Sequence, residues 1–142
     1  MGLARYLKVI GLGFGWATLP CTLAIAADYR VSLAEAGIRD YYCTTTIEIE
    51  NLSDAPLLGI NTFMDLMGAD GLITTSRGVL AGPIAPGESV QMTMDAPNEP
   101  CAAIESYVLV VGSCQIESGF RNTDDCAAAF ETVEPITGAR SR

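Results

Sequence analysis

From residue 41 onward the chain alternates. Tyr41, Cys43, Thr45, Ile47 and Ile49 fall on one side of an extended segment, and Tyr42, Thr44, Thr46, Glu48 and Glu50 fall on the other. β-branched residues dominate and the period is two, so the segment reads as a strand with one buried face. The run Asn51 to Pro56 (NLSDAP) ends it, with side chains that bond local backbone groups and a proline that lacks a donor. Leu57 to Met67 alternates again, with Leu58, Ile60, Thr62, Met64 and Leu66 on one face. Gly68-Ala69-Asp70-Gly71 follows as a tight reversal, because glycine permits positive φ. Leu72 to Arg77 returns as a shorter strand, and 78–89 reads as a loop. Its Pro86-Gly87 pair suits the central positions of a type II turn. Val90, Met92 and Met94 alternate in a fifth strand. After a proline-rich loop over 96–100, Ala103 to Gly112 (AIESYVLVVG) is apolar on both faces towards its end, as a central strand is.

The flanks are less regular. Tyr29 to Leu33 is a short first strand, and 34–39 is a turn or a loose helical turn broken by Gly37. Residues 113–125 form a polar loop bracketed by Cys114 and Cys126. Ala127 to Val133 is a last short strand or a helical turn, and residues 136–142 are expected to form a flexible tail. With turns at this spacing, about seven strands predict an all-β, immunoglobulin-like β-sandwich of antiparallel strands. The absence of any helical stretch of roughly 10–15 residues after the N-terminal segment argues against an α/β fold.

The N-terminus carries a different pattern. Arg5 and Lys8 make a basic region, the 19 residues from Val9 to Ala27 carry no charge, and Ala24-Ile25-Ala26 is a small-x-small cleavage site. This reads as a secretory signal peptide over 1–26, with the sandwich over 27–135. An uncleaved signal anchor is the alternative, and a lipoprotein at Cys21 a third, which Pro20 fits badly. The first two readings place the remaining chain outside the cytoplasm, because Arg5 and Lys8 stay inside. After cleavage no stable membrane span remains. Removing 26 of the 142 residues leaves 116, with all 17 acidic residues against six arginines, a net charge of −11. That balance argues against a nucleic-acid partner.

Cleavage also leaves four cysteines, Cys43, Cys101, Cys114 and Cys126, and an even number in an exported chain reads as two disulfides. Cys101 and Cys114 bracket one strand and lie about 40 Å apart at ~3.3 Å per residue, so they cannot bond each other. In a seven-strand sandwich the second and sixth strands run the same way. Cys43 opens the second and Cys101 precedes the sixth, so both lie at one end. Cys114 closes the sixth and Cys126 opens the seventh, at the other end. The expected pairs are Cys43–Cys101 and Cys114–Cys126.

At this point the run IEIENLSDAPLLGI, then DLMGADGLI, then IAPGESVQMTM, resembles bacterial extracytoplasmic immunoglobulin-like modules of the FxLYD kind. The likeness covers Ile47 to Met94 and consists of turn chemistry: an Asn-x-Ser corner before proline, an Asp-x-x-Gly hairpin and a Pro-Gly-Glu turn. Phe63-Met64-Asp65-Leu66 stands near where the FxLYD motif itself would be. The resemblance implies a fold and carries over no functional residue.

Candidate chemistry is sparse. There is no histidine, and after cleavage no lysine, so a nucleophile has only carboxylates to activate it. No Gly-x-Ser-x-Gly occurs. Asn122, Asp124 and Asp125 on one loop are candidate calcium ligands, with Asp65 and Asp70 flanking another, though Asx-rich loops mostly cap their own backbone. Met64, Met67, Met92 and Met94 are candidate copper(I) ligands, or ordinary core. Tyr41, Tyr42 and Tyr107 are a candidate recognition patch, or strand-end packing. The leading expectation is a periplasmic or secreted, disulfide-bonded, non-catalytic binding or structural module of the bacterial envelope. It has no cofactor, and its partner is another envelope or secreted protein. The alternatives are a periplasmic metal-binding protein, calcium before copper, and a small carboxylate-dependent hydrolase. A binding surface is expected at the 113–125 loop and the outer sheet edges.

Overall fold

A computed structural model of the protein describes residues 26–39, 42–71, 73–96 and 100–142. The basic N-terminal region, most of the uncharged run, Cys21 and Tyr41 lie outside these residues. Nine strands and one short helix follow in order: β1 (Tyr29–Arg39), β2 (Tyr42–Asn51), β3 (Leu57–Met67), β4 (Ile73–Ala81), β5 (Ser89–Ala96), β6 (Ser106–Ile116), β7 (Gly119–Arg121), α1 (Thr123–Ala128), β8 (Phe130–Thr132) and β9 (Ile136–Ser141). A single 3-10 turn, Cys101–Ala103, precedes β6.

The strands form two sheets. The first has the order β5-β2-β1-β8, and the second β4-β3-β6 with β7 and β9 sharing the far edge of β6. The neighbours β1-β2-β5 and β4-β3-β6-β7 reproduce the immunoglobulin-like split between two packed sheets. The fold is therefore the expected all-β sandwich, with two departures. Among the described residues the strands number nine where about seven were expected, and two pairings are parallel: β1 with β8 and β6 with β9. Both come from the chain after Cys126. It leaves α1, lies against the outer edge of the first sheet as β8, turns at Val133–Ile136, and joins the second sheet as β9.

Residues 136–142, expected to form a flexible tail, are instead paired with β6. Ile136 is 1% exposed, Thr137 Oγ1 donates to the Tyr107 carbonyl, and the Arg142 amide donates to the Val111 carbonyl at 3.0 Å. A buried anchor and a line of backbone bonds outweigh the local break.

The core is the expected inward face. Cys43, Thr45, Ile47 and Ile49 of β2 are buried, as are Ile60, Thr62, Met64 and Leu66 of β3. They pack with Val31, Leu109, Val111, Ile84 and Ile136. Each fully buried aliphatic side chain contributes roughly 1.5–3 kcal/mol. Leu58 is the exception. The register slips between Leu57 and Gly59, so Leu57 enters the core and Leu58 is left 39% exposed. A second slip opposite Asn61 and Thr62 leaves Gly112 unpaired in β6, where a Cβ would sit 3.1 Å from the Asn61 carbonyl oxygen. That slip lets β6 continue through the glycine that seemed to end it.

The turns fall where the sequence puts them. Gly87 has φ +73 and the Glu88 amide donates to the Ala85 carbonyl, closing the Pro86-Gly87 turn. At the β2–β3 corner Asn51 is fully buried. Its Nδ2 donates to the Ala55 and Ile84 carbonyls at 2.8 and 3.0 Å, and its Oδ1 accepts from the Ser53 amide and hydroxyl. One side chain thus ties the corner to the loop that leads into β5.

Candidate functional site

The four cysteines pair as topology predicts. Cys43 and Cys101 have Cα atoms 4.8 Å apart at one end of the sandwich, and Cys114 and Cys126 have theirs 6.0 Å apart at the other. Cys126 comes from α1 and not from the start of a strand. The Cys101 sulfur also lies 3.0 Å from the Gly37 carbonyl oxygen. These pairs support an oxidising, exported environment. Among the described residues, no helix is long and apolar enough to cross a membrane.

The other sequence candidates resolve into structural roles or scatter. Asn122 caps α1: its Oδ1 accepts the Asp124 amide at 2.9 Å, and Asp124 and Asp125 occupy the first helical turn, where backbone N–H groups favour negative charge. Asp65 is held by Arg140, away from Asp70 in the hairpin. Among the described residues no three His, Cys, Asp or Glu side chains converge as a metal site would need. Met64 and Met94 are buried in the core, and Met92 packs against it. Tyr107 is buried, its hydroxyl 3.4 Å from Thr45 Oγ1, so it is no part of an exposed patch. The 113–125 loop is a hairpin of β6 and β7 followed by α1.

The two outer faces differ, although the first also has an exposed apolar side chain, Ile38, at 76%, beside a depression of about 270 Å³ lined by Thr44, Thr46 and Thr93. On the first sheet the outward side chains pair with one another across strands. Thr44 donates to Asp95 at 2.9 Å, Thr46 bonds Thr93 at 2.9 Å, and Glu48 accepts from Ser89 and Gln91. Arg30 bridges Glu50 and Glu131, and the hydrogen bond and charge of Glu131 raise its pKa further. Such exposed pairs add little stability, but they occupy the groups that a partner would need.

The second sheet presents something else. Its pleat rows lie about 6–7 Å apart along the strands. One row carries Gly59, Gln115 and Phe120, the next Leu80, Asn61 and Ser113, and the next Gly78, Phe63, Val110 and Arg140. Leu80 is 76% and Phe120 75% exposed. They flank an open depression of about 360 Å³ floored by Gly59 and Asn61. Gly82 closes one side of it with φ +130, where any Cβ would sit 2.6 Å from the Leu58 carbonyl oxygen, so the wall stays bare backbone. A second depression, of about 390 Å³, lies farther along the same face around Phe63, Gly78 and Val110, with Arg140 and Arg142 at its rim.

With this geometry in view, comparison with known proteins gives fold and no more. No family model matches the chain, and no curated protein sequence matches it. The solved structure of IrmA from Escherichia coli superposes with a TM-score of 0.57, over 76% of this chain and 92% of that one, at 8% identity. At that identity the likeness is one of fold. No family model bears out the likeness of 47–94 to FxLYD-like modules that the sequence suggested.

The sequence pointed to the 113–125 loop, which supplies Ser113, Gln115 and Phe120 to this face, and did not single out the individual side chains that shape it. Leu80 lay in a segment read as a loop after Gly78, Phe120 in a run of polar residues, and Arg140 and Arg142 in a supposed tail. The available signal was Phe120, a single large apolar residue between Gly119 and Arg121; Leu80 stands in the apolar run Val79-Leu80-Ala81 and gave none.

Proposed function

We propose that this chain is an exported, disulfide-bonded β-sandwich without chemistry of its own, which binds another protein of the bacterial envelope through the outer face of its second sheet. The observation that carries this reading is the contrast between the two faces. One is largely covered by polar cross-strand pairs and carries a single exposed large apolar side chain, Ile38, at its end, and the other leaves two, Leu80 and Phe120, three-quarters exposed on either side of a backbone-walled depression. Leu80 and Phe120 stand on the two outer strands with Asn61, Ser113 and Gln115 between them, so a partner seated there would bury two large apolar side chains and meet polar groups it can hydrogen-bond. The shallow, open shape suits a protein surface better than a small molecule, which needs an enclosing pocket. The absence of histidine, and of lysine after cleavage, supports a non-catalytic role.

The test is capture and crosslinking from an envelope fraction with three forms of the protein: unaltered, Leu80→Glu with Phe120→Glu, and Thr93→Lys on the opposite face. The reading requires one crosslinked partner that the double variant loses by about tenfold or more while Thr93→Lys keeps it. A partner retained by the double variant and lost by Thr93→Lys would place the interface on the wrong sheet.

A further inference from the structure

Arg142 is unlike the other arginines whose side chains are described. Arg30 meets Glu50 and Glu131, Arg121 meets Asp28 at 2.7 Å, and Arg140 meets Asp65 at 2.7 Å. Arg142 meets no carboxylate among the described residues, in a chain where acidic residues outnumber basic ones 17 to 8. Its guanidinium carbon instead lies 4.4 Å from the centroid of the Phe63 ring. The backbone is pinned there, since the Arg142 amide donates to the Val111 carbonyl.

That arrangement is pre-organised. A guanidinium laid over an aromatic face is held by the ring quadrupole, while its N–H groups project around the rim of its own plane. They remain available for a planar acceptor, and a carboxylate is the acceptor whose two oxygens match that fork. The surroundings favour it as well. Gly78, opposite Phe63 in the ladder, offers no side chain to cover the ring, and Val110 supplies an apolar floor only 6% exposed. Asp65, which lines the same depression, is already engaged by Arg140 and is 4% exposed, so it does not compete for Arg142.

We infer that Phe63, Gly78, Val110 and Arg142 form a carboxylate subsite, which receives an Asp or Glu side chain of the protein partner. This rests on the reading of the second sheet's outer face given above and deepens it. Charge complementarity decides the occupant: an unpaired cation, fixed in place on an otherwise acidic molecule, marks where an acidic partner residue docks. The apolar contacts at Leu80 and Phe120 then lie one and two pleat rows away on the same face.

The test uses the ¹⁵N-labelled protein and two probes, acetyl-glutamate amide and its uncharged twin acetyl-glutamine amide, followed by ¹H–¹⁵N spectra. The glutamate probe is expected to shift the amides of Gly78, Val110 and Arg142, and the glutamine probe to leave them in place. Arg142→Gln should abolish the shifts. Phe63→Leu, which keeps the apolar floor and removes the ring, should weaken them about threefold or more. Equal shifts with both probes, shifts elsewhere, no shifts, or shifts that survive Arg142→Gln overturn the subsite. The two levels separate in the crosslinking assay. If Leu80→Glu with Phe120→Glu loses the partner and Arg142→Gln keeps it, the face stands and the carboxylate subsite falls. If the double variant keeps the partner, the face reading falls, and the spectra still score the subsite.

Discussion

Arg140 on β9 reaches past β6 to Asp65 on β3, Nη2 to Oδ2 at 2.7 Å, so one ion pair spans three strands. The partners are unequal. The Asp65 side chain is 6% exposed and that of Arg140 57%. Removing the exposed partner strands a buried carboxylate, whereas removing the buried one returns a guanidinium to water. Arg140→Met should therefore cost about 2 kcal/mol, and Asp65→Asn about 1 kcal/mol or less, with screening at the exposed end limiting both. The double substitution should recover part of the larger loss. Urea unfolding of the four proteins closes the cycle, and equal losses for the two single variants would contradict the asymmetry.

Asn51 makes a sharper case. Its side chain is fully buried and uses both donors and its acceptor on Ala55, Ile84 and Ser53. Asn51→Ala removes one donor from each of those carbonyls, which keep the Leu57 amide and the Ser53 hydroxyl, and should cost about 2 kcal/mol. Asn51→Asp keeps the shape but turns an acceptor towards two carbonyl oxygens. It should be at least as unstable as the alanine variant at neutral pH. Lowering the pH protonates that carboxylate and restores one donor, so the aspartate variant should regain stability in acid while the alanine variant does not. Melting temperatures of both variants between pH 4 and 7 give the comparison.

The corner around Asn51 was legible because it is local: Asn, Ser, Asp and Pro within six residues announce a turn whatever the fold. The inward face of β2 was legible for the same reason, since Cys43 to Ile49 alternate without interruption. Leu57 and Leu58 exchanged roles because a bulge adds one residue, and alternation cannot say where a register slips. The reach of β4 past Gly78, and of β6 past Gly112, depends on pairing with β3, a partner remote in sequence. β9 is the extreme case. Nothing within 136–142 looks like a strand, and it becomes one because β6 offers an unpaired edge beside a slot for Ile136. The candidate face inherited these errors in part: Leu80, Arg140 and Arg142 lie on segments whose pairing is distant in sequence, whereas Phe120 lies on β7, a local hairpin with β6.

The cysteine pairs differ in reach and in exposure. Cys43–Cys101 closes a separation of 58 residues and Cys114–Cys126 one of 12. Loop-closure entropy gives about 4 kcal/mol for the first and about 3 kcal/mol for the second. Paired alanine substitutions should therefore destabilise in that order, measured by urea unfolding. Access predicts the order of reduction. Cys114 and Cys126 are both fully buried, Cys43 is 1% exposed, and Cys101 is half-buried at the surface. Mild reductant on the native protein should open Cys43–Cys101 first, with Cys101 the first thiol labelled by an alkylating agent. Labelling of Cys114 ahead of Cys101, read by peptide mass mapping, would contradict this packing.

Tyr29 gives a pH dependence at the alkaline end. Its ring is 2% exposed and lies 5.0 Å from that of Phe130, with Arg121 at 6.0 Å. Burial raises the phenol above its ordinary value of 10.0; Arg121 pulls it back and Asp28 adds a smaller push. The native protein thus holds this proton more tightly than the unfolded chain does. Below about pH 10 both states are protonated, and the full stabilisation is present. Above that, the unfolded chain ionises first, and stability falls as pH rises through the native value. Tyr29→Phe keeps the ring against Phe130 and removes the titrating group. Its melting temperature should therefore fall less between about pH 9.5 and 11.5 than that of the unaltered protein. Two curves of the same slope in that window would show that Tyr29 ionises in the folded state as freely as in the unfolded chain.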